Sequence, residues 1–411
     1  MMFTHLLSFF LIGTCSIYAV IAYGNVNYFS EELVQPLDFH QALEKFNNDL
    51  YKNAASNGSI QNVLLSPLSI NILLAILAVG AAGRTRSEIV TGINQPLQSG
   101  AQILNNYKLM VENLMNVTDV ELQMSNAIFV DHSIRLKKSF QDELFNYFKA
   151  HEFSVNFKTP IPTVDKINGK ISEQTNNKIN NMLSTKDIDE RSTKVVITNA
   201  IYFKGEWKYK FANVTNLVFH DYHGQTKIVP TMTKTGPYRV SFGDTAIKAR
   251  MIELPYKGDE LSMLIVIPYE MNGLDDVESS LERVNLRNHI KSLMPFEVKL
   301  NLPKFRVEAT TDLYDALNKM GINEAFTDIA NFSRITDGNL SVSKMMHKTL
   351  IEVNENGAEA AAASVAVLGF RSMKSDPPEF NANHPFHYKI IKSIDKNNHV
   401  VLFAGNVKHI Q

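Results

Sequence analysis

The order of apolar and polar positions divides the chain into an early part with helical patterning and a later part rich in strands. Ser66-Pro67 opens a helix, with serine as the cap and proline in the first turn. The run from Leu68 to Val79 is apolar nearly all round, which predicts a deeply buried helix ended by Gly80 and Gly83. Thr85-x-x-Glu88 reads as a capping box for the next helix. Further on, Phe296, Val298, Leu300 and Leu302 alternate with Glu297, Lys299 and Asn301, the pattern of a half-buried strand. Val195 to Phe203, Leu261 to Ile267, Thr349 to Val353 and Val400 to Ala404 are β-rich runs. Thr311 to Met320 reads as a helix stopped by Gly321. There is no internal repeat and no low-complexity linker. Helices and strands in separate blocks indicate an α+β fold with no obvious domain boundary.

One segment does not fit this order. Residues 355–379 begin after a strand and end at Pro377-Pro378, where a loop is expected. Their first half is small and almost uncharged. An Ala-rich helix accounts for 358–363 but not for Ser364, Val365, Val367 and Gly369. Read with period two, Ala358, Ala360, Ala362, Ser364, Ala366 and Leu368 share one face. Glu359 is the only charge on the other. Such a segment could enter a sheet without burying a bulky group. Long connections of this kind are usually functional or disordered.

Composition narrows the function classes. The chain has 411 residues, 45% hydrophobic and 20% charged, with a formal net charge of −1, so neither a basic nucleic-acid binder nor an acidic tail is indicated. Leu6 to Ala22 is almost entirely apolar and no charged residue precedes Glu31, which reads as a secretory signal over residues 1–22. The alternative, a membrane anchor, is opposed by Thr14, Cys15 and Ser16 and by the short length. The only cysteine, Cys15, lies in that signal, so no disulfide or thiolate metal site is expected. Asn57, Asn116, Asn213, Asn331 and Asn339 each begin a glycosylation sequon, which fits secretion.

Glu355-x-Gly357-Ala358-Glu359-Ala360-Ala361-Ala362-Ala363-Ser364 resembles the hinge of inhibitory serpins. Asn62 to Ile70, Gly80 to Ile89, Ile197 to Trp207, Leu302-Pro-Lys-Phe305, Met320-Gly-Ile322 and His384-Pro-Phe386 continue the resemblance in order. It implies a single α+β serpin domain over 23–411, about nine helices around three β-sheets. An exposed reactive-centre loop would span about 355–379. It further implies that Ser66, Asn199 and His347 form a hydrogen-bonded shutter under the central sheet. Trp207, Lys304 and Glu355 would form the breach where loop insertion starts. Without the resemblance, each would be read as a satisfied core or ion-pair residue.

The resemblance also places the scissile bond fourteen positions after Gly357, at Arg371–Ser372. An arginine there suits a protease pocket with a buried aspartate. A shift of one position would put Phe370 at the bond and a chymotrypsin-like enzyme in its place. The chain departs from the family in having Ala358 where Thr or Ser is usual, a change small enough to keep insertion possible.

The implied protein is a secreted monomer that traps a trypsin-like serine protease as a covalent one-to-one complex, with no cofactor, metal, nucleic acid or membrane partner. The alternative is a non-inhibitory serpin acting as carrier or storage protein. An enzyme is disfavoured: no Gly-x-Ser-x-Gly, His-Glu-x-x-His or Gly-rich phosphate loop is present, and His220 and His223 lie in a turn context. A strong heparin effect is not expected, since Tyr107 to Thr118 carries only Lys108. Arg135, Lys137 and Lys138 read as a solvated helix start.

Overall fold

Helix Pro67–Gly80 is buried at all fourteen positions, as its apolar run requires. It is the centre of a large hydrophobic core. Gly80 permits a close approach: a Cβ there would lie 2.4 Å from the Ile335 side chain. The computed structural model describes residues 37–55, 60–95, 99–244, 246–281, 283, 285–355, 376–395 and 398–410. Residues 1–22, Asn57, and the segment from Gly357 through Arg371 and Ser372 lie outside the described residues.

Among the described residues there are nine α-helices and two hydrogen-bonded sheets. The central sheet has five strands, in the order Phe305–Asp312, Lys344–Val353, Val195–Gly205, Val120–Asp131, His151–Val155. One face looks into the main core. The other is covered by helix Pro160–Gln174, whose Val164, Ile167 and Ile171 pack with Ala127, Phe129 and Tyr202. The second sheet has nine strands. Its 19-residue strand Thr226–Asp244 pairs along Thr226–Thr233 with Asn213–His220 and near its end with Ala249–Pro255. The expected third sheet is therefore hydrogen-bonded to the second through one long strand.

Several local expectations change under long-range contacts. Ser66 precedes the helix, but its hydroxyl makes no capping bond. The next helix starts at Gly83, not at a Thr85 cap. Thr85 instead donates to Glu324 Oε1 at 2.6 Å, and Glu88 accepts from the backbone N–H groups of Asn323 and Glu324. Thr311 and Asp312 belong to a strand, paired with His347 and Met346, and the helix is only Tyr314–Lys319. Phe296 is exposed, against Phe242, while Val298, Leu300 and Leu302 are buried.

Candidate functional site

The strand runs Val195–Gly205 and Lys344–Val353 lie side by side and parallel, from Val196–Lys344 to Phe203–Ile351. Each has an antiparallel neighbour on its outer side. One wall of this parallel seam is the strand that ends at Val353. A segment following Val353 could therefore turn back into the seam and be antiparallel to both neighbours. Antiparallel pairing is also slightly the more stable.

Three sequence-predicted residues meet at the middle of the seam. Asn199 and His347 are register partners across it, and Asn126 is the register partner of Asn199 on the far side. His347 Nε2 accepts the backbone N–H of Ser66 at 3.0 Å. Its proton therefore sits on Nδ1, which donates to Asn199 Oδ1 at 2.6 Å. Asn199 Oδ1 also accepts from Ser69 Oγ at 2.7 Å, and Asn199 Nδ2 donates to Asn126 Oδ1 at 2.6 Å. The start of the buried helix thus holds both strands: Ser66 through His347, Ser69 through Asn199. Burial pushes the His347 pKa down to about 3, so the ring is neutral at ordinary pH. A charged ring would have to exchange the Ser66 acceptor bond for a clash between two N–H groups.

A second group closes the far end of the seam. Trp207, just beyond Val195–Gly205, donates from Nε1 to the carbonyl of Asn354, just beyond Lys344–Val353, at 3.0 Å. Its ring stacks on Tyr256 at 4.5 Å and is buried. Lys304 Nζ lies 2.8 Å from Glu355 Oε2, and this pair holds the Glu355 carboxyl below the usual carboxylate range. Both members are partly exposed, so the pair is worth at most about 1 kcal/mol.

Sequence reasoning missed Ser69, Asn126 and Tyr256. The first two carried a signal: Ser69 lies in a nearly all-apolar buried helix and Asn126 directly precedes the buried apolar run from Ala127 to Val130, positions where a polar side chain demands a partner. Asn116, Asn213, Asn331 and Asn339 are all exposed, as a glycan would require. Lys137 and Lys138 pair with Asp337 at 2.7 Å and Asp142 at 2.8 Å, so that basic cluster is partly neutralised.

Residues 41–410 match the family model described as serpin (serine protease inhibitor). Antichymotrypsin-2 of Bombyx mori is 32% identical over 368 residues, covering 88% of this chain and 96% of the relative. Antitrypsin of the same organism is 32% identical over 370 residues, covering 88% and 92%. The crystal structure of Serpin48, from the insect Tenebrio molitor, superposes with a TM-score of 0.79 at 27% identity, covering 94% of this chain and 100% of that one.

Proposed function

Because the chain belongs to the serpin family of serine protease inhibitors, we propose that it is a secreted suicide substrate for trypsin-like serine proteases. The two Bombyx relatives are equally identical and are named for different proteases, so overall likeness does not choose a target. Residue type does: Arg371 at the proposed bond fits an enzyme with an acidic primary pocket.

The protease serine attacks the carbonyl carbon of Arg371. The bond to Ser372 breaks, and Ser372 leaves as a new amine that takes up the proton carried by the protease histidine. Arg371 remains esterified to the enzyme. The severed segment from Ala358 onward then enters the seam as a strand antiparallel to both neighbours. Roughly ten added backbone hydrogen bonds at about 1 kcal/mol each give a drive on the order of 10 kcal/mol before packing. Insertion of the reactive loop into the central sheet is an established mode of strand addition in the serpin family. Insertion drags the enzyme with it, and a misplacement of about 1 Å in its catalytic groups can cost ~100-fold in rate.

The observation that most supports this reading is the parallel seam beside Glu355, spanned by side-chain bonds that can be exchanged. Mixing with trypsin should give an SDS-stable one-to-one complex. Arg371→Ala should abolish it, and Ala358→Arg should convert the chain into a substrate. Recovery of cleaved inhibitor with fully active trypsin would reject the trapping mechanism. The carrier alternative predicts that cleavage leaves the thermal midpoint unchanged; insertion predicts a large rise.

A further inference from the structure

We propose that Asn213 carries an N-linked glycan that keeps the edge strand Asn213–His220 from pairing with a second copy of this chain. Among the described residues that strand pairs only with Thr226–Asp244. The N–H of His220 donates to the carbonyl of Asn383 at 2.9 Å, which closes one end of the edge. Antiparallel alternation then turns the backbone groups of Val214, Asn216 and Val218 outward, to a side where no strand lies among the described residues. Both faces of this edge put apolar groups in solvent. On one face Val214 is 40% and Val218 43% exposed, with Ile228 opposite Val218 at 68%. On the other, Leu217 is 38% exposed.

The other sheet edges among the described residues are guarded by length or charge. Leu64–Leu65 and Glu379–Asn381 have two and three residues, and His151–Val155 has five, Glu152 among them. Phe305–Asp312 has eight residues but carries Arg306, Glu308 and Asp312. Shortness and charge are the usual means of stopping a strand edge from templating another chain. Asn213–His220 also has eight residues, yet it holds no Asp, Glu, Lys, Arg or proline. Two copies could pair antiparallel along it with no like charges facing, the same patch on each, as a twofold contact requires. What this edge has instead is the sequon Asn213-Val214-Thr215 at its first residue. Of the sequon asparagines among the described residues, Asn213 alone lies in a strand, and it is exposed. A strand arriving in register would set a Cβ about 4.5–5.5 Å from that of Asn213. A bulky, hydrophilic glycan there leaves it no room.

The proposal rests on the secretion part of the reading above and not on the fate of the bait segment. The test uses the full-length chain secreted from a eukaryotic cell line. Glycopeptide mass spectrometry should find Asn213 modified. Asn213→Gln and Thr215→Ala should each lose that glycan and form dimers or larger oligomers in sedimentation at about a ten-fold lower concentration than wild type. Adding Val218→Lys to Asn213→Gln should return the chain to monomer, because a charge on the edge replaces the glycan. Asn331→Gln, outside any strand, should stay monomeric. Should the first two variants fail to fold, trimming the glycans of folded wild type with an endoglycosidase should produce the same association. A bare Asn213 in the secreted chain overturns the proposal. So does association of folded Asn213→Gln and Thr215→Ala, or of trimmed wild type, no stronger than that of untreated wild type. Equal association of Asn331→Gln, or association that Val218→Lys does not relieve, overturns the edge as the site. All of these leave the trapping of trypsin standing. If the chain is not secreted, the secretion reading and this proposal fail together.

Discussion

Both sheets bury their inner strands but hold them by different means. In the second sheet, Leu261–Pro268 is buried at all eight positions and runs antiparallel to both neighbours, Ala249–Pro255 and Phe386–Ser393. In the central sheet, the seam is parallel and is bridged at its middle by His347 and Asn199 and at its end by Trp207. An apolar interface cannot be opened without exposing surface to water, whereas a hydrogen-bonded one can exchange partners with an arriving strand. The first arrangement makes a frame. The second makes a joint.

The largest effect should come from the frame. Ile265→Ala, at a fully buried position, should cost about 2–5 kcal/mol, and equally in intact and loop-cleaved protein. Denaturant unfolding of both forms checks this. A much smaller loss in one form would mean that the second sheet also rearranges. His347→Ala should cost the intact form about 1–3 kcal/mol by leaving Ser66 N–H and Asn199 without their partner. The cleaved form should lose less, since the seam there would be filled. Equal losses would remove the distinction between frame and joint.

The joint should also respond to pH. His347 is neutral in the folded chain down to about pH 3 but titrates near 6.5 when unfolded. Its native pKa is lowered, so its contribution is complete above about pH 6.5 and is lost as pH falls from there toward 3. The loss is about 1.4 kcal/mol per pH unit within that window. Thermal midpoints of wild type and His347→Gln should therefore converge between pH 7 and pH 4; parallel curves would exclude this linkage. The smallest effect belongs to Lys304→Ala. It should change stability by less than about 1 kcal/mol, because the Glu355 pair is partly solvated. An SDS-gel titration would show whether it shifts the partition between trapping and turnover.

What can be read from the sequence follows the range of the forces involved. The buried helix and the strands at Val195, Leu261 and Val400 are legible because burial of an element writes its own period into the residues. The capping box at Thr85 fails because Glu324, 239 residues away, offers a buried hydroxyl a stronger partner than the local backbone does. The helix expected from Thr311 starts late because pairing with Lys344–Val353 holds Thr311 and Asp312 extended. At the seam, family likeness alone points to Ser66, Asn199 and His347. Nothing local shows that they converge, and Ser69 and Asn126, which complete the network, differ from ordinary buried polar residues only in three dimensions.

The position of Glu355 has a kinetic consequence. It closely follows the strand that forms one wall of the seam, so the segment proposed to fill the seam is covalently joined to its proposed destination. On the proposed mechanism, filling would be an intramolecular step whose effective concentration is set by a short tether, in the millimolar range, and not by how much inhibitor is present. Dilution would slow the first meeting with an enzyme but leave the odds of each meeting unchanged, so a scarce inhibitor would remain as faithful as an abundant one.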